Sequence, residues 1–490
     1  MSTLHSADRL SGAQAPAALS PSLIEIPADL DTPVSAYMKL CGTETGFLLE
    51  SSEHGQGVGR FSFIGLAPFD RVELRNRTMR IITATGEQSI ELDPADPLAP
   101  LREFIEASSA SLPQGLPPML GGAVGNFGYD CVRLFENIPD SNPDELGLAD
   151  ANLLIPRSVV EFDHGRRLLR IAAMPCEADS DQTEVDARAR HYRELLRGPL
   201  PAECSADYDA ASEPTECGNS AQQFLETVER ARQHIRQGDI FQVVLSRRMS
   251  GHTPAQPLDV YRALRSVNPS PYMFFLNFGD FQLIGSSPEE LVSLENGVAR
   301  VMPIAGTRPL AMDEVANIAL EEGLPLDEKE RSEHVMLVDL GRNDLGRVCE
   351  YGSVNVDELM SVKRYSHVMH MVSRVSGKLA AQRDCFELLA SVFPAGTLSG
   401  APKIRAMEII DQLEALRRGP YGGAVGYIGR GCRMDMCIAI RMVLMQQGRY
   451  TIQAGAGIVA DSVAEREYEE CSAKMAALCQ AIQRAEEGIG

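Results

Sequence analysis

The stretch from Asp461 to Lys474 constrains the fold most strongly, because its spacing favours a helix with two different faces. Glu467, Glu470 and Lys474 stand at i, i+3 and i+7, so a helix would place them on one side. A neighbouring apolar stripe at helical spacing would dock this helix on a core. The stripe consists of Cys471, Met475, Leu478 and Ile482. The charged face could bind a hard cation and an anion, although a solvated face with an ordinary ion pair explains the same pattern.

Composition limits the partners that the chain can have. Its 490 residues are 44% apolar and 23% charged, the balance of a large soluble globular protein. The net charge of -22 argues against a nucleic-acid partner. No apolar run approaches the roughly 18 residues that a membrane helix requires, and residues 1–20 lack the apolar core of a signal peptide. We therefore expect a cytoplasmic protein with a mobile leader over 1–20 and no contact with nucleic acid or membrane.

The cysteines point to a reducing compartment. The chain contains 11 cysteines, an odd number, and no C-x-x-C pair. This pattern argues against a disulfide framework and against a zinc knuckle.

The chain divides by composition into a strand-rich part, a linker and a mixed part. Period-two patterns predict strands within 21–175, where Ser158–Phe162 and Leu168–Ala172 form a hairpin. The following segment, 176–220, is acidic and polar and reads as a helix followed by a linker. Helices alternate with strands over 221–485.

Local signals predict several loops and helix starts. Ser220 can cap a helix, and Pro402 lies in the first turn of a helix predicted to end at Leu416. The composition of Pro303–Pro309 is typical of a loop. The sequence Gly-Gly-Ala-Val-Gly occurs at 121–125 and again at 422–426, where close backbone packing explains it better than a ligand loop.

Glutamates at helical spacing occur in two places that could meet in space. Glu330 and Glu333 lie one turn apart on a predicted helix, and with Glu467 and Glu470 they would supply four carboxylates from two helices. Mg²⁺ prefers oxygen ligands and commonly bridges to an anionic substrate. A plain ion-paired helix is the alternative, because basic residues are interleaved with the first pair.

Several long motifs, in the same order and spacing, resemble those of the chorismate-utilising enzymes, and most closely the large subunits of anthranilate synthases. They include Pro303–Pro309, Phe393–Lys403 and Asp461–Lys474. The resemblance covers nearly the whole chain and is strongest from about 220 to 480. It implies an α+β fold with a large chorismate-binding α/β sandwich core and an N-terminal strand-rich regulatory portion.

The resemblance implies a metal site and a substrate site. Glu333 and Glu470 would bind Mg²⁺ directly, Glu330 and Glu467 through water, and the ion would hold the ring carboxylate of chorismate. The substrate itself would be bound by Gly306, Thr307, Thr397, Tyr421, Arg441, Gly457 and Lys474. Arg441 follows an apolar run, where an arginine is costly to bury unless it is paired. A bound carboxylate would be such a partner, and an Asp or Glu of the chain is the alternative.

Two residues are candidates for proton transfer. Expelling the C4 hydroxyl of chorismate requires protonation, and Glu289 would supply the proton if its pKa were raised. His370 matches the histidine that helps to remove the C2 proton, with the neighbouring His367 or a purely structural histidine as alternatives.

The residues at two positions distinguish the reactions of the related chorismate-utilising enzymes. Gln242 stands where isochorismate synthases carry the lysine that activates water, and an amide cannot act as that base. Ala305 stands where aminodeoxychorismate synthases carry a nucleophilic lysine. The resemblance therefore implies that ammonia attacks C2, as in anthranilate synthase. Aminodeoxychorismate synthase and a non-catalytic tryptophan-binding relative remain the alternatives.

The resemblance also implies an inhibitor site and a partner subunit. Five residues resemble the tryptophan-binding elements of feedback-inhibited members: Glu50, Ser51, Pro269, Tyr272 and Met273. The alternative is an ordinary strand that packs against a Pro-rich turn, because this would show the same sequence pattern. The chain has no Gly-x-Cys-x-Gly nucleophile turn. Ammonia from glutamine would therefore require a separate glutamine amidotransferase subunit.

Overall fold

The computed structural model describes residues 19–488 except 52–58, 110–111, 114, 177–178, 202–210, 212, 312 and 365–367. The predicted leader over 1–20 thus lies almost entirely outside the described residues, and so does His367.

The first part of the chain is rich in strands, as predicted. Its strands are β1 (Ser22–Pro27), β2 (Gly46–Glu50), β3 (Phe61–Arg75), β4 (Thr78–Thr83), β5 (Gly86–Glu91), β6 (Ala123–Phe127), β7 (Ala151–Asp163) and β8 (Leu168–Ala173). Its helices are α1 (Pro33–Leu40), α2 (Ala99–Ser109), α3 (Val132–Phe135) and α4 (Gln182–Arg197). Strands β7 and β8 form the predicted antiparallel hairpin.

The rest of the chain mixes helices and strands. The strands are β9 (Thr215–Cys217), β10 (Gln242–His252), β11 (Tyr272–Asn277), β12 (Gln282–Ser287), β13 (Glu290–Glu295), β14 (Val298–Val301), β15 (Ile304–Pro309), β16 (Asn355–Arg364), β17 (Val368–Lys378), β18 (Gly400–Ala401), β19 (Ala424–Gly429), β20 (Arg433–Ile438), β21 (Met442–Gln446) and β22 (Arg449–Ile458). The helices are α5 (Ala221–Gln237), α6 (Pro257–Val267), α7 (Glu314–Gly323), α8 (Glu328–Gly346), α9 (Cys385–Val392), α10 (Lys403–Leu413) and α11 (Ala464–Glu486). Short 3₁₀ turns include Gly396–Leu398 and Arg430–Cys432.

The strands form two arms that meet at the paired strands β3 and β7. One arm runs through β2, β11, β12, β21, β22 and β10. The other runs through β6, β19, β20, β13, β14 and β17. Apolar side chains of both arms, such as Phe274 and Val425, pack in one buried cluster. The arms therefore face each other as the two sheets of a sandwich.

Helices cover the outer faces of both arms. Apolar residues of α5, α10 and α11 pack on β10 and β22, while α8 and α9 pack on the strands of the second arm. Within the described residues, no helix is long and apolar enough to cross a membrane.

Strands of the two predicted parts of the chain pair with each other. Strand β2 pairs with β11, and β6 pairs with β19. The second pairing sets the repeated glycine sequences side by side, with Gly125 opposite Gly426. A Cβ at Gly125 would lie 2.0 Å from the Asn152 carbonyl oxygen. The interpretation of these glycines as sites of close backbone packing is confirmed, whereas the domain boundaries stay predictions.

Local capping chemistry explains several helix starts. The Ser220 hydroxyl accepts a hydrogen bond from the Gln223 N–H at the start of α5, in a capping box. Asp327 caps α8, because its carboxylate accepts from the N–H groups of Lys329 and Glu330. Pro402 is the N-cap of α10, which ends three residues before the predicted Leu416.

The prediction of a loop over Pro303–Pro309 is wrong. This segment contains strand β15, which pairs with β17 through a bulge at Gly306. Gly306 has a φ of +68°, a conformation that glycine adopts without strain. The bulge explains how a Gly- and Pro-containing segment remains part of a sheet.

Candidate functional site

Glu289 lies between β12 and β13, and its carboxylate accepts a hydrogen bond of 3.0 Å from the Thr397 hydroxyl. Burial raises the pKa of Glu289 to about 7, although the Thr397 hydrogen bond and the charge of Lys474 act in the opposite direction. Glu289 and Thr397 line a small cavity of about 60 Å³. A carboxyl group with this pKa is about half protonated at neutral pH, so it can act as a proton donor there.

His370 lies on strand β17, opposite Thr307 of β15. Burial lowers the pKa of this imidazole, a hydrogen bond to the backbone of Gly306 raises it, and the charge of Arg441 lowers it. The net shift is downward, so the ring is neutral at physiological pH and can accept a proton.

Arg441 is partly buried and follows strand β20 in a left-handed conformation, with a φ of +51°. Burial lowers the pKa of its guanidinium group, while the nearby Tyr421 acts in the opposite direction. Among the described residues, no Asp or Glu forms an ion pair with it. The predicted alternative of an Asp or Glu partner is therefore not seen within the described part of the chain, and the guanidinium group could bind an anion.

Gln242 and Gly457 are in close contact on the neighbouring strands β10 and β22. A Cβ at Gly457 would lie 2.5 Å from Gln242 Nε2, so a larger residue here would force the Gln242 amide to move. The buried Gln242 amide also forms a hydrogen bond with Glu333 of α8. Gln242 thus contacts both Gly457 of strand β22 and Glu333 of helix α8.

The four glutamates predicted to bind metal lie on α8 and α11. Burial raises the pKa of Glu333, and repulsion from Glu330 and Glu470 adds to the shift. Burial likewise raises the pKa of Glu467, again with a contribution from Glu470. Repulsion of this kind requires that the carboxylates of the two helices lie near one another.

Two of these glutamates already have basic partners. Glu330 pairs with Arg308 at 2.9 Å, and Glu470 pairs with Lys474 at 2.7 Å. Lys474 also donates a hydrogen bond of 2.8 Å to the Gly455 carbonyl. No three His, Cys, Asp or Glu side chains of the described chain are already arranged as a metal site. The donor set consists of carboxylate oxygens, which fits a hard cation such as Mg²⁺.

Gly306 and Tyr421 complete the set of predicted substrate-side residues. A Cβ at Gly306 would lie 3.2 Å from Glu330 Oε2, which places the β15 bulge against the acidic helix. The Tyr421 hydroxyl lies close to Gly455 of β22, and burial raises its pKa. The predicted residues therefore come together around β15, β17, β22, α8 and α11.

A second, larger cavity of about 820 Å³ lies between the two arms and is lined by residues of both. Four residues of the predicted tryptophan site, Glu50, Ser51, Tyr272 and Met273, line this cavity, whereas the fifth, Pro269, does not. Pro271, immediately before β11, lines it instead. Pro269 lies outside because it precedes the strand by three residues. We call this space the inter-arm cavity.

Two predicted residues of the inter-arm cavity differ in their partners. Glu50 is buried, accepts a hydrogen bond of 2.6 Å from Tyr261 and pairs with Arg265 at 3.1 Å. The Ser51 hydroxyl is also buried, and no hydrogen bond reaches it from the described residues. A polar ligand in the cavity would supply a partner for that hydroxyl.

The sequence did not reveal an acidic pair in the same cavity. The Tyr272 hydroxyl lies 3.1 Å from Glu290 Oε2 and 3.0 Å from Asp435 Oδ1. Burial and then repulsion from Asp435 raise the pKa of Glu290 to about 7. Burial raises the pKa of Asp435 to about 6. Only the position of Glu290 beside Glu289 could have drawn attention to it.

The family profile described as chorismate binding enzyme matches residues 47–480. Anthranilate synthase component 1 of Pseudomonas aeruginosa is 45% identical, with 96% of each chain covered. The same component of Thermus thermophilus is 46% identical, covering 94% of this chain and 97% of the relative.

Solved structures agree with these relatives. Anthranilate synthase component I of Streptococcus pneumoniae superposes with a TM-score of 0.78 at 37% identity, covering 92% of this chain and 99% of that one. The menaquinone-specific isochorismate synthase of Escherichia coli has a TM-score of 0.72 at 21% identity, with 96% and 97% covered, and this likeness concerns the fold alone. The predicted α+β fold and the resemblance stated from the motifs are confirmed.

Proposed function

The chain belongs to the family of chorismate-binding enzymes, and we propose that it converts chorismate and ammonia to anthranilate and pyruvate, a lyase reaction of tryptophan biosynthesis. The observation that carries this proposal is the buried Glu289 carboxyl group beside Thr397, whose pKa of about 7 keeps about half of it protonated at neutral pH. The relatives named anthranilate synthase component 1 support it.

Glu289 acts as the general acid. Its proton goes to the C4 hydroxyl of chorismate, which then leaves as water. Thr397 orients the carboxyl group through its hydrogen bond. The positive charge of Lys474 stabilises the carboxylate that remains after proton transfer.

His370 serves as the base in the later elimination. Because burial and the charge of Arg441 lower its pKa, the imidazole is neutral and can take the C2 proton as pyruvate leaves. The hydrogen bond to the Gly306 backbone fixes the orientation of the ring.

Arg441 binds a carboxylate of chorismate. Its guanidinium group lacks an acidic partner among the described residues, and an incoming carboxylate would supply one. Tyr421, Gly306, Thr307 and Gly457 would surround the bound substrate, as the resemblance to the family implies.

Glu330, Glu333, Glu467 and Glu470 would hold Mg²⁺. The ion would supply positive charge for the ring carboxylate of the substrate and would relieve the repulsion among the glutamates. Lys474 and Arg308, which pair with two of them, keep the carboxylates in place before the ion binds.

Gln242 and Ala305 favour this reaction over its relatives. Gln242 contacts Gly457 and Glu333, yet its amide cannot deprotonate water. Ala305 is buried on β15 opposite Met371 and offers no nucleophile. Ammonia must therefore attack C2 itself, and we propose that a glutamine amidotransferase subunit delivers it in the cytoplasm.

Tryptophan would bind in the inter-arm cavity as a feedback inhibitor. The volume of about 820 Å³ admits an amino acid of this size. Glu50 can accept from the ammonium group and the Ser51 hydroxyl can bind a polar group of the ligand. Inhibition requires that tryptophan binds a less active state more tightly.

A product assay on the purified chain tests the function. It would contain chorismate, Mg²⁺ and ammonium at mildly alkaline pH, with and without tryptophan, and follow anthranilate by fluorescence and mass. We expect anthranilate and pyruvate, lost on chelation of Mg²⁺ and suppressed by tryptophan. Aminodeoxychorismate without pyruvate would contradict the assignment, and no product even with an added glutaminase subunit would indicate a binding protein.

A further inference from the structure

Arg418 is a buried arginine that has no part in the reaction described above. It follows helix α10, and only 1% of its side chain is exposed to solvent. Its guanidinium group pairs with Glu414, donating from Nε to Oε2 at 2.9 Å and from Nη2 to Oε1 at 2.6 Å. The Glu414 carboxylate is held in turn, because Oε1 accepts from the N–H group and the hydroxyl of Ser246, each at 2.8 Å. Two parallel hydrogen bonds of this kind fix the plane of the guanidinium group.

The same guanidinium group binds two backbone segments. Nη1 donates to the Leu398 carbonyl at 2.6 Å, and Nη2 donates to the Val244 carbonyl at 2.7 Å. Leu398 directly follows Thr397 in the same 3₁₀ turn. Val244 pairs with Gly457 in the register of β10 and β22. Arg418 therefore joins two segments that carry residues of the candidate site.

The guanidinium group also lies over two tyrosine rings. Its central carbon is 4.6 Å from the centroid of the Tyr129 ring and 5.9 Å from that of the Tyr421 ring. A cation over an aromatic face is attracted by the electrons of the ring. Tyr421 is buried and is one of the predicted substrate-side residues. Arg418 thus lies against a third segment of the candidate site.

Stability alone does not explain a buried ion pair of this kind. Both charges lose their hydration on burial, so an apolar pair of similar size often stabilises a fold equally well or better. The planar guanidinium group can do what an apolar side chain cannot, because it donates to a carboxylate and to two separate carbonyls at once. A lysine would carry all its donors on one nitrogen and could not reproduce this arrangement.

We propose that Arg418 is a positioning residue that holds Thr397 against the Glu289 carboxyl group through the Leu398 carbonyl. The inference rests on the proposed function only in taking Glu289 as the general acid. The Thr397 hydroxyl donates to Glu289 at 3.0 Å, and the next residue in the turn accepts from Arg418. Without that donor the buried carbonyl would have to find another partner, so the turn would shift and the Thr397 hydrogen bond would be lost.

Titration of Glu289 in the substrate-free chain tests the proposal. Glutamate labelled at its carboxyl carbon is followed by NMR, and the signal that is missing in Glu289→Gln identifies this group. The Thr397 hydrogen bond lowers the pKa of Glu289, so its loss in Arg418→Lys should raise that pKa. Lysine keeps the positive charge, so a lost charge would not be the cause. Thr397→Val should raise the pKa as well, and it should add no further shift in the double variant.

Arg188 provides a matched control. Its guanidinium group also pairs with a buried carboxylate, that of Asp179, through two hydrogen bonds of 2.9 Å, and it donates to the Met174 carbonyl at 2.5 Å. Arg188 lies on helix α4, away from the candidate site. Arg188→Lys should therefore lower the melting temperature and leave the pKa of Glu289 unchanged.

The other charged groups near Glu289 are the same in each of these variants. Lys474 lowers the pKa of Glu289, and Glu290 and Asp344 line the same small cavity. Because none of the three is substituted, a shift seen in Arg418→Lys but not in Arg188→Lys would come from the displaced turn.

Turnover gives a second readout. In Arg418→Lys we expect kcat for anthranilate to fall by about tenfold, the effect of one lost hydrogen bond, and adding Thr397→Val should lower kcat little further. If the natural chain made no anthranilate, the proposed function would fail, but the NMR titration would still decide the role of Arg418.

An unchanged pKa of Glu289 in folded Arg418→Lys would overturn the proposal. If that variant does not fold, Glu414→Gln is titrated in its place, because it keeps the arginine and weakens the paired hydrogen bonds that orient it. An unchanged pKa in Glu414→Gln would count equally against the proposal. Failure of both variants to fold would assign the ion pair to stability and would also overturn it.

Discussion

Glu289 and Glu290 are neighbours in the chain, both line the small cavity of about 60 Å³, and burial raises the pKa of each to about 7, but their carboxyl groups have different hydrogen-bond partners. Glu289 lies beside Thr397 at the candidate catalytic site. Glu290 begins strand β13 and lies in the inter-arm cavity, joined through Tyr272 to Asp435. A shifted pKa therefore marks a buried carboxyl group and does not by itself assign catalysis.

The difference lies in what each carboxyl group faces. The opposing charge at Glu289 comes from Lys474, which would stabilise the anion left after proton donation. Glu290 faces another carboxyl group, so its proton is retained by repulsion as well as by burial. Glu290 lines both cavities, so the candidate catalytic site and the inter-arm cavity adjoin at the start of strand β13.

The largest expected effect comes from Glu289→Gln. The amide fills the same space and accepts the Thr397 hydrogen bond, but it cannot donate a proton to the C4 hydroxyl. We expect kcat for anthranilate to fall by about 10²–10⁴-fold, measured by product fluorescence, with the melting temperature retained.

Glu290→Gln is the matched control for that substitution. It makes the same chemical change one residue away, so kcat without tryptophan should remain close to that of the natural chain. An equal loss of activity in both variants would mean that the two carboxyl groups do not serve separate regions.

A smaller loss should follow Arg441→Gln. This change removes the charge that lacks an acidic partner within the described structure. Hydrogen bonds to charged groups contribute about 1.5–3 kcal/mol, so kcat/KM for chorismate should fall roughly 10- to 100-fold. Arg342→Gln, which removes an exposed pair with Asp339, is the control and should leave kcat/KM unchanged.

Ser51→Phe should act on the other region alone. The phenyl ring would occupy the inter-arm cavity next to Glu50 and displace tryptophan. We expect the tryptophan concentration for half-inhibition to rise by about tenfold or more, which corresponds to roughly 1.4 kcal/mol, while uninhibited activity stays. The measurement is enzyme activity at increasing tryptophan concentration. Unchanged inhibition in the variant would show that tryptophan does not bind at Ser51.

The sequence correctly predicted structural features that depend only on residues close together in the chain. The Ser220 cap and the hairpin of β7 and β8 follow from local chemistry and period-two patterning, and both are present. The composition of Pro303–Pro309 predicts a loop because it contains no information about strand β17, whose paired residues lie 59 to 68 positions away (368 minus 309 and 372 minus 304).

At the candidate site too, the sequence pattern did not predict contacts between residues that lie far apart in the chain. Motif resemblance led to Glu289, His370 and Arg441 individually, but it could not show that Arg441 lowers the pKa of His370. The pair of Glu290 and Asp435 was missed because it forms only when two distant strands align across β13 and β20. Contacts of this kind arise from tertiary packing, which sequence spacing does not encode.

The smallest expected effect concerns stability against pH, and it treats Glu289 and Glu290 alike. Both carboxyl groups have folded-state pKa values of about 7, above the ordinary glutamate value near 4.5. Between these two pH values the folded state holds protons that the unfolded state has released. Each group therefore contributes stability below pH 4.5 that is lost as the pH rises to about 7.

Replacing either group with Gln removes this dependence. We expect the melting temperature of Glu289→Gln and of Glu290→Gln to fall less between pH 5 and pH 7.5 than that of the natural chain, as measured by thermal denaturation. Slopes identical to that of the natural chain would show that these carboxyl groups titrate normally. Similar stability profiles combined with unequal activities would show that burial sets the pKa of both glutamates, while the groups that surround each one decide its role.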